Sequence, residues 1–142
     1  MYKTILLPVD LSAPTSWTKA LPTALQLGGE GVVLHVVTVL PDFGMSVVSG
    51  FFKEGFEKGA LQEVGEKLKT WVNENVPDSV TVHPHVLHGR IYDEILRAAD
   101  KLSVDAIVLA SHTPELADYL LGPNAARVVR HAKQSVFVVR GE

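Results

Sequence analysis

The chain has 142 residues, with 13 Lys and Arg against 16 Asp and Glu, a net charge of −3 and no cysteine. That length is one ordinary domain, residues 1–142, with enough chain to bury a proper core. The near-neutral charge without a basic run argues against nucleic acid and anionic membrane as partners, and the lack of cysteine excludes disulfides, thiolate metal sites and cysteine nucleophiles.

The chain opens MYKTILLPVD, too short and wrongly flanked for a signal peptide. No apolar run approaches the ~20 residues of a membrane span, so a cytoplasmic protein is expected. TILLPVD reads as a strand buried on both faces. From Ser12 onward, Trp17, Leu21, Ala24 and Leu25 recur at helical spacing up to Gly28-Gly29. VVLHVVTVL is the second buried strand. Residues 41 to 55 follow as a loop carrying Gly44, Gly50 and Gly55 with Phe43, Phe51 and Phe52. Long loops of this kind often lack fixed structure; the alternative is a lid. Leu61, Val64, Leu68, Trp71 and Val72 mark a second helix face. VTVHPHVLH is a third strand, and Pro84 within it argues for a sheet edge. Ile91, Ile95, Ala98, Ala99 and Leu102 make a third helix. DAIVLAS is a fourth strand. A loop, a helix within LLGPNAARVVRHA and a last strand, SVFVVR, complete the order.

Five β-runs separated by helices predict a doubly wound α/β fold: an open, parallel five-stranded sheet with helices on both faces. Ligands of this class bind beyond the carboxyl ends of the strands. The first strand places Asp10 there, the second passes through Val36 to Thr38, the third ends at His88-Gly89, and the fourth ends ASHT at residues 110 to 113. Gly122 opens the last helix towards the same crevice. An acidic residue at one strand tip and a helix start at another suggest a nucleotide. Asp10 has a second reading, as a residue that caps the loop after the strand.

The segments KTILLPVDLS, LHVVTVLP and ASHTPELADYLLGPNAARVVRHAKQSVFVVR resemble the universal stress protein family across nearly the whole chain. The form ending NAA-x-VVRHA is similar to its small enterobacterial subgroup, which binds ATP. The family signature has two glycines two residues apart, then nine residues and Gly-Ser. Here Ala110 and Thr113 stand at the two glycines, eight residues separate Thr113 from Gly122, and Pro123 stands at the serine. The resemblance implies an adenine nucleotide (ATP, ADP or AMP, with Mg2+ as companion ion) in a stress-response regulatory role. Pro8, Val9 and Asp10 would contact adenine and ribose, and the backbone at Val36 would read the adenine edge. Ala110, Ser111, His112 and Thr113 would form the ribose and α-phosphate loop. Gly122, Pro123, Asn124 and Ala125 would supply the phosphate-facing helix start. Gly89 would allow a close approach, with a plain turn glycine as the other reading.

Proline suits the first helical turn but offers a phosphate no N–H and no hydroxyl. One lost hydrogen bond to a charged group is worth ~1.5–3 kcal/mol, roughly 10- to 100-fold in affinity, so the cradle is weakened. A nucleotide-free interaction protein on the same scaffold is therefore the alternative function. No Ser-His-Asp order accompanies His112, and GPNAAR is not a P-loop, so no catalytic residue is assigned and any ATP turnover is expected to be slow. Nucleotide would order the 41–55 loop and change the surface shown to a protein partner. His83, His85 and His88 lie close together along one strand, but a metal needs ligands from another element, and no metal is assigned. His35 reads as a satisfied core residue. In the usual order 3-2-1-4-5 the last strand is an edge without charge until Arg140, an aggregation hazard unless covered. The resemblance implies a homodimer joined there, through Val136 and Val138.

Overall fold

The structure, a computed structural model, describes residues 2–41, 54–111 and 123–140. Strand β1 (Thr4–Pro8) leads through a 3-10 turn (Pro14–Ser16) into helix α1 (Ala20–Gly28) and strand β2 (Val33–Pro41). Helix α2 (Glu54–Asn75), strand β3 (Thr81–Gly89), helix α3 (Ile91–Lys101), strand β4 (Ala106–Ala110), helix α4 (Pro123–His131) and strand β5 (Ser135–Val139) follow. All four strand pairings are parallel and the order is β3-β2-β1-β4-β5. The doubly wound sheet expected from the alternating pattern is present, and Pro84 lies on the β3 edge.

The hydrophobic runs are where the sheet is covered on both faces. Ile5, Leu6 and Leu7 in β1 and Ala106, Ile107 and Val108 in β4 have no exposed surface. Register sorts the side chains between the two faces. Leu6 sits beside His35 and Ile107 on one face, while Ile5 sits beside Leu34 and Ala106 on the other. The Trp17 and Trp71 rings meet edge to face at 5.5 Å, joining the chain before α1 to α2. Arg127 of α4 lies 4.8 Å over the Tyr92 ring of α3. These contacts agree with α1 and α2 covering one face and α3 and α4 the other, as right-handed crossovers require.

Two boundaries differ from the sequence reading. Regular helix begins at Ala20 rather than near Ser12. Pro22 has no N–H to return to Thr18, and a proline is tolerated only in a helix's first turn, so the α-helix can start no earlier. Trp17 still packs on the core, from the turn that precedes the helix. The expected 41–55 loop is shorter at both ends: Pro41 is the last residue of β2, and Gly55 lies inside α2. Its remaining residues, 42–53, lie outside the described ones.

Candidate functional site

Strand lengths create the site. The β1–β2 ladder ends at Pro8 beside Val37, with one further bond from Val9 N–H to the Val37 carbonyl at 2.8 Å. Strand β2 runs on to Pro41, paired only with β3, as far as Pro41 beside Gly89. At roughly 3.3 Å per residue, the overhang of Thr38 to Pro41 leaves a notch roughly 10–13 Å long beyond the tip of β1.

A pocket of about 500 Å³ occupies this notch. Val9, Asp10, Leu11 and Ser12 line it where the chain leaves β1, and Thr38, Val39 and Leu40 line it from β2. Val64 and Lys67 of α2 and Ile91 at the start of α3 close its sides. Among the described residues the walls are mainly aliphatic, with one carboxylate, one ammonium and two hydroxyls. That is the composition of a small-molecule site: apolar surface for a flat group and a few polar groups to orient it.

Asp10 is held by its own loop. Its Oδ1 accepts the Ser12 N–H at 3.0 Å and the Ser12 hydroxyl at 2.7 Å. Its backbone is pinned by buried Ser16, whose Oγ accepts the Asp10 N–H at 2.9 Å and donates to the Asp10 carbonyl at 3.1 Å. The loop-capping reading of Asp10 is therefore realised. The second carboxylate oxygen, Oδ2, takes no part in these bonds, and Asp10 also lines the pocket. Across it, Lys67 Nζ is 3.6 Å from Glu63 Oε1 on the same helix, a weak exposed pair.

Of the residues singled out in the sequence, Val9 and Asp10 line the pocket. Pro8 is buried directly beneath them. Val36 lies two residues short of the notch with its side chain sealed in the core, and Thr38, Val39 and Leu40 are the β2 residues that reach the space. Gly89 does not line it: φ is +143°, a glycine conformation, and an added Cβ would come within 3.2 Å of Glu94 Cγ. The turn reading of Gly89 thus has a sufficient local cause. Ala110 ends β4 and Ser111 follows it, both buried, with the Ser111 N–H donating to the Val139 carbonyl at 2.6 Å. Pro123 is the first residue of α4, followed by half-buried Asn124 and buried Ala125. His112, Thr113 and Gly122 lie outside the described residues.

Lys67, Val64 and Ile91 were missed by the sequence reading. Val64 and Ile91 had been read only as core-facing helix positions, and a lysine on an exposed helix face gives no local signal. Thr38 was legible as the one hydroxyl in the run VVLHVVTVL.

A pocket at the carboxyl ends of β1 and β2 lies where doubly wound α/β proteins place their ligands. Residues 1–140 match the model of the universal stress protein family. The chain belongs to that family. It is 35% identical to universal stress protein G of Escherichia coli O157:H7 over 142 residues, 99% of this chain and 100% of the relative. Among solved structures it is similar to the hypothetical protein PH0823, with a TM-score of 0.75, 20% identity, and 99% and 96% of the two chains covered. A family protein from Arabidopsis thaliana with AMP bound gives a TM-score of 0.65 at 16% identity, covering 97% and 91%. The universal stress protein from Archaeoglobus fulgidus in complex with dAMP gives 0.59 at 20%, covering 96% and 97%.

Proposed function

We propose that the chain binds an adenine nucleotide in the notch and acts as a cytoplasmic stress-response regulator rather than a metabolic enzyme. The observation that carries this reading is the notch itself. It offers aliphatic walls on both sides of a nucleoside-sized space, with Asp10 at the tip of β1 and one carboxylate oxygen left over from its turn. It does so in a family whose solved neighbours carry AMP and dAMP. In this reading the base lies between Val9, Val39 and Ile91, and Asp10 Oδ2 accepts from the ribose hydroxyls. The backbone beyond Val36, at Thr38 to Leu40, reads the base edge. Lys67 supplies positive charge at the mouth. The phosphates run past Ala110, Ser111, His112 and Thr113 to Gly122 and the start of α4 at Asn124 and Ala125, where the helix N-terminus favours negative charge. When ATP is the ligand, Mg2+ would accompany its phosphates. Two protomers join through β5, whose Val138 is 44% exposed at the sheet edge.

Pro123 favours a second reading, in which the scaffold works as an interaction protein without nucleotide, because it removes a donor at the position nearest the phosphates. Mass spectrometry of small molecules released from purified, heat-denatured protein separates the two. Stoichiometric AMP, ADP or ATP supports the first reading. If no nucleotide is released and calorimetry detects no binding of AMP or ATP at millimolar concentration, the second stands. A turnover assay with ATP checks the regulatory role: release of phosphate at ordinary enzymatic rates would overturn it.

A further inference from the structure

Three histidines meet on the face of the sheet away from α2. His35 of β2 is registered with His83 of β3, and Val37 with His85. His35 Nδ1 lies 2.9 Å from His85 Nε2, and the His35 ring stacks on both neighbours with centroids 5.2 Å away. His35 and His85 are half-buried, and among the described residues β3 is an edge strand whose only ladder partner is β2. Among the described residues no group of three or more side chains here could hold a metal ion, so the cluster needs another account.

A 2.9 Å contact between two ring nitrogens requires one N–H and one lone pair. Neutral imidazoles satisfy it. A first added proton is opposed by burial, and a second sets two N–H groups and two charges against each other. The groups facing the cluster do little to offset this. On α3, Glu94, Arg97 and Lys101 line a cavity of about 350 Å³ with His85. Glu94 Oε2 is engaged by Arg97 Nη1 at 2.6 Å, so among the described residues two cations and one committed carboxylate face His85 across this cavity. Strand β1 turns Leu6 towards His35 and adds no charge.

We propose that His35 and His85, with His83 stacked beside His35, form an acid-sensitive latch, the bonded His35–His85 pair holding edge strand β3 to β2 while neutral and releasing it as the pH falls. Burial, followed by the charge of the neighbouring histidines, holds His35 and His85 below the ordinary value of 6.5. The sign follows from linkage. Well above pH 6.5 His35 and His85 are neutral in both closed and open states and the latch acts fully. As the pH drops through 6.5 the opened strand binds protons that the closed one refuses, and stability is lost until the lowered value of the closed state is reached. Each proton taken up on opening raises the open population by up to about tenfold per pH unit. This holds whatever the pocket on the other face binds.

Amide hydrogen exchange, converted to protection factors at pH 7.5, 6.5 and 5.5, tests it on the full chain. Protection of the β3 amides of Val82, Val86 and Leu87 should fall up to about fivefold per proton between pH 6.5 and 5.5. The β4 amides of Val108 and Leu109 should hold. In the double variant His35→Gln with His85→Gln the pH dependence of β3 should vanish. A flat β3 profile in the wild type, or a fall shared equally by β4, overturns the latch. Should the variant fail to fold, NMR titration of the wild-type imidazoles decides. Midpoints for His35 and His85 below that of histidine in an unfolded peptide support the latch; midpoints at or above it overturn the proposal.

Discussion

Replacing Asp10 separates two roles that one side chain holds together. Asp10→Ala removes the acceptor of two hydrogen bonds from Ser12, at 3.0 and 2.7 Å. Both are exposed, so each contributes at the modest end, and their joint loss should cost about 1–2 kcal/mol. For a domain of this size that lowers the melting temperature by about 3–8 °C. Asp10→Asn keeps a carbonyl oxygen at the Oδ1 position and should cost less than about 0.5 kcal/mol. The nucleotide responds differently. A ribose hydroxyl on a carboxylate makes a charge-assisted bond roughly twice as strong as one on an amide. Asp10→Asn should therefore weaken AMP about fivefold, and Asp10→Ala by roughly 10- to 100-fold. Scanning fluorimetry of the ligand-free proteins and calorimetry with AMP read the two effects separately. Asp10→Ala with a lowered melting temperature and unchanged AMP affinity would refute the ligand role and leave Asp10 as a turn former.

Three further outcomes are expected. Pro123→Ser should tighten ATP by ~1–3 kcal/mol through a regained N–H and hydroxyl, at a cost to the fold of ~1 kcal/mol or less; equal gains for adenosine and ATP in calorimetry would show that the phosphates lie elsewhere. Val136→Lys with Val138→Lys, at the β5 edge where Val138 is 44% exposed, should convert a dimer to a folded monomer in sedimentation, and a wild-type monomer at micromolar concentration contradicts the interface. Gly28→Ala should destabilise by ~1–3 kcal/mol in urea, outweighing the ~1 kcal/mol helix-propensity gain, because its Cβ would lie 2.1 Å from Val32 Cγ2 and 2.5 Å from Val32 Cβ. Val32→Ala should not relieve it, since the Cβ contact remains.

The fold was legible because its strands are nearly uninterrupted aliphatic runs. A sheet covered on both faces demands that pattern, and ILL in β1 and AIVLA in β4 meet the demand with almost no exposed surface. Element starts were less legible. Periodicity at Trp17, Leu21 and Ala24 marks a packed face, yet Trp17 reaches the core from a turn, which the spacing cannot distinguish from helix. Asp10 could be placed at a strand tip from the sequence, but its turn with Ser12 depends on how the chain folds back. Lys67 and Ile91 come from elements far apart in the chain, and only their tertiary placement brings them to one pocket. The pairing of His35 with His85 was hidden for the same reason: it rests on the β2–β3 register, which the sequence does not number.

The unequal lengths of β1 and β2 decide how the two ends of the site share the work. A notch bounded by Val9 to Ser12 on one side and Thr38 to Leu40 on the other is fixed by ladder register and by buried Ser16 beneath the Asp10 backbone. Its shape therefore persists whatever happens at the start of α4. Pro123 stands at that other end, where a proline favours the helix start and has no N–H to offer. Binding free energy in this chain should thus reside mostly in the nucleoside, with little added by each further phosphate. Affinities for adenosine, AMP and ATP that lie within about tenfold of one another fit that division. An ATP preference of 100-fold or more over adenosine would mean that residues near the phosphates make good what Pro123 lacks, and Lys67, the one cation among the described residues lining the pocket, is the first to replace with alanine.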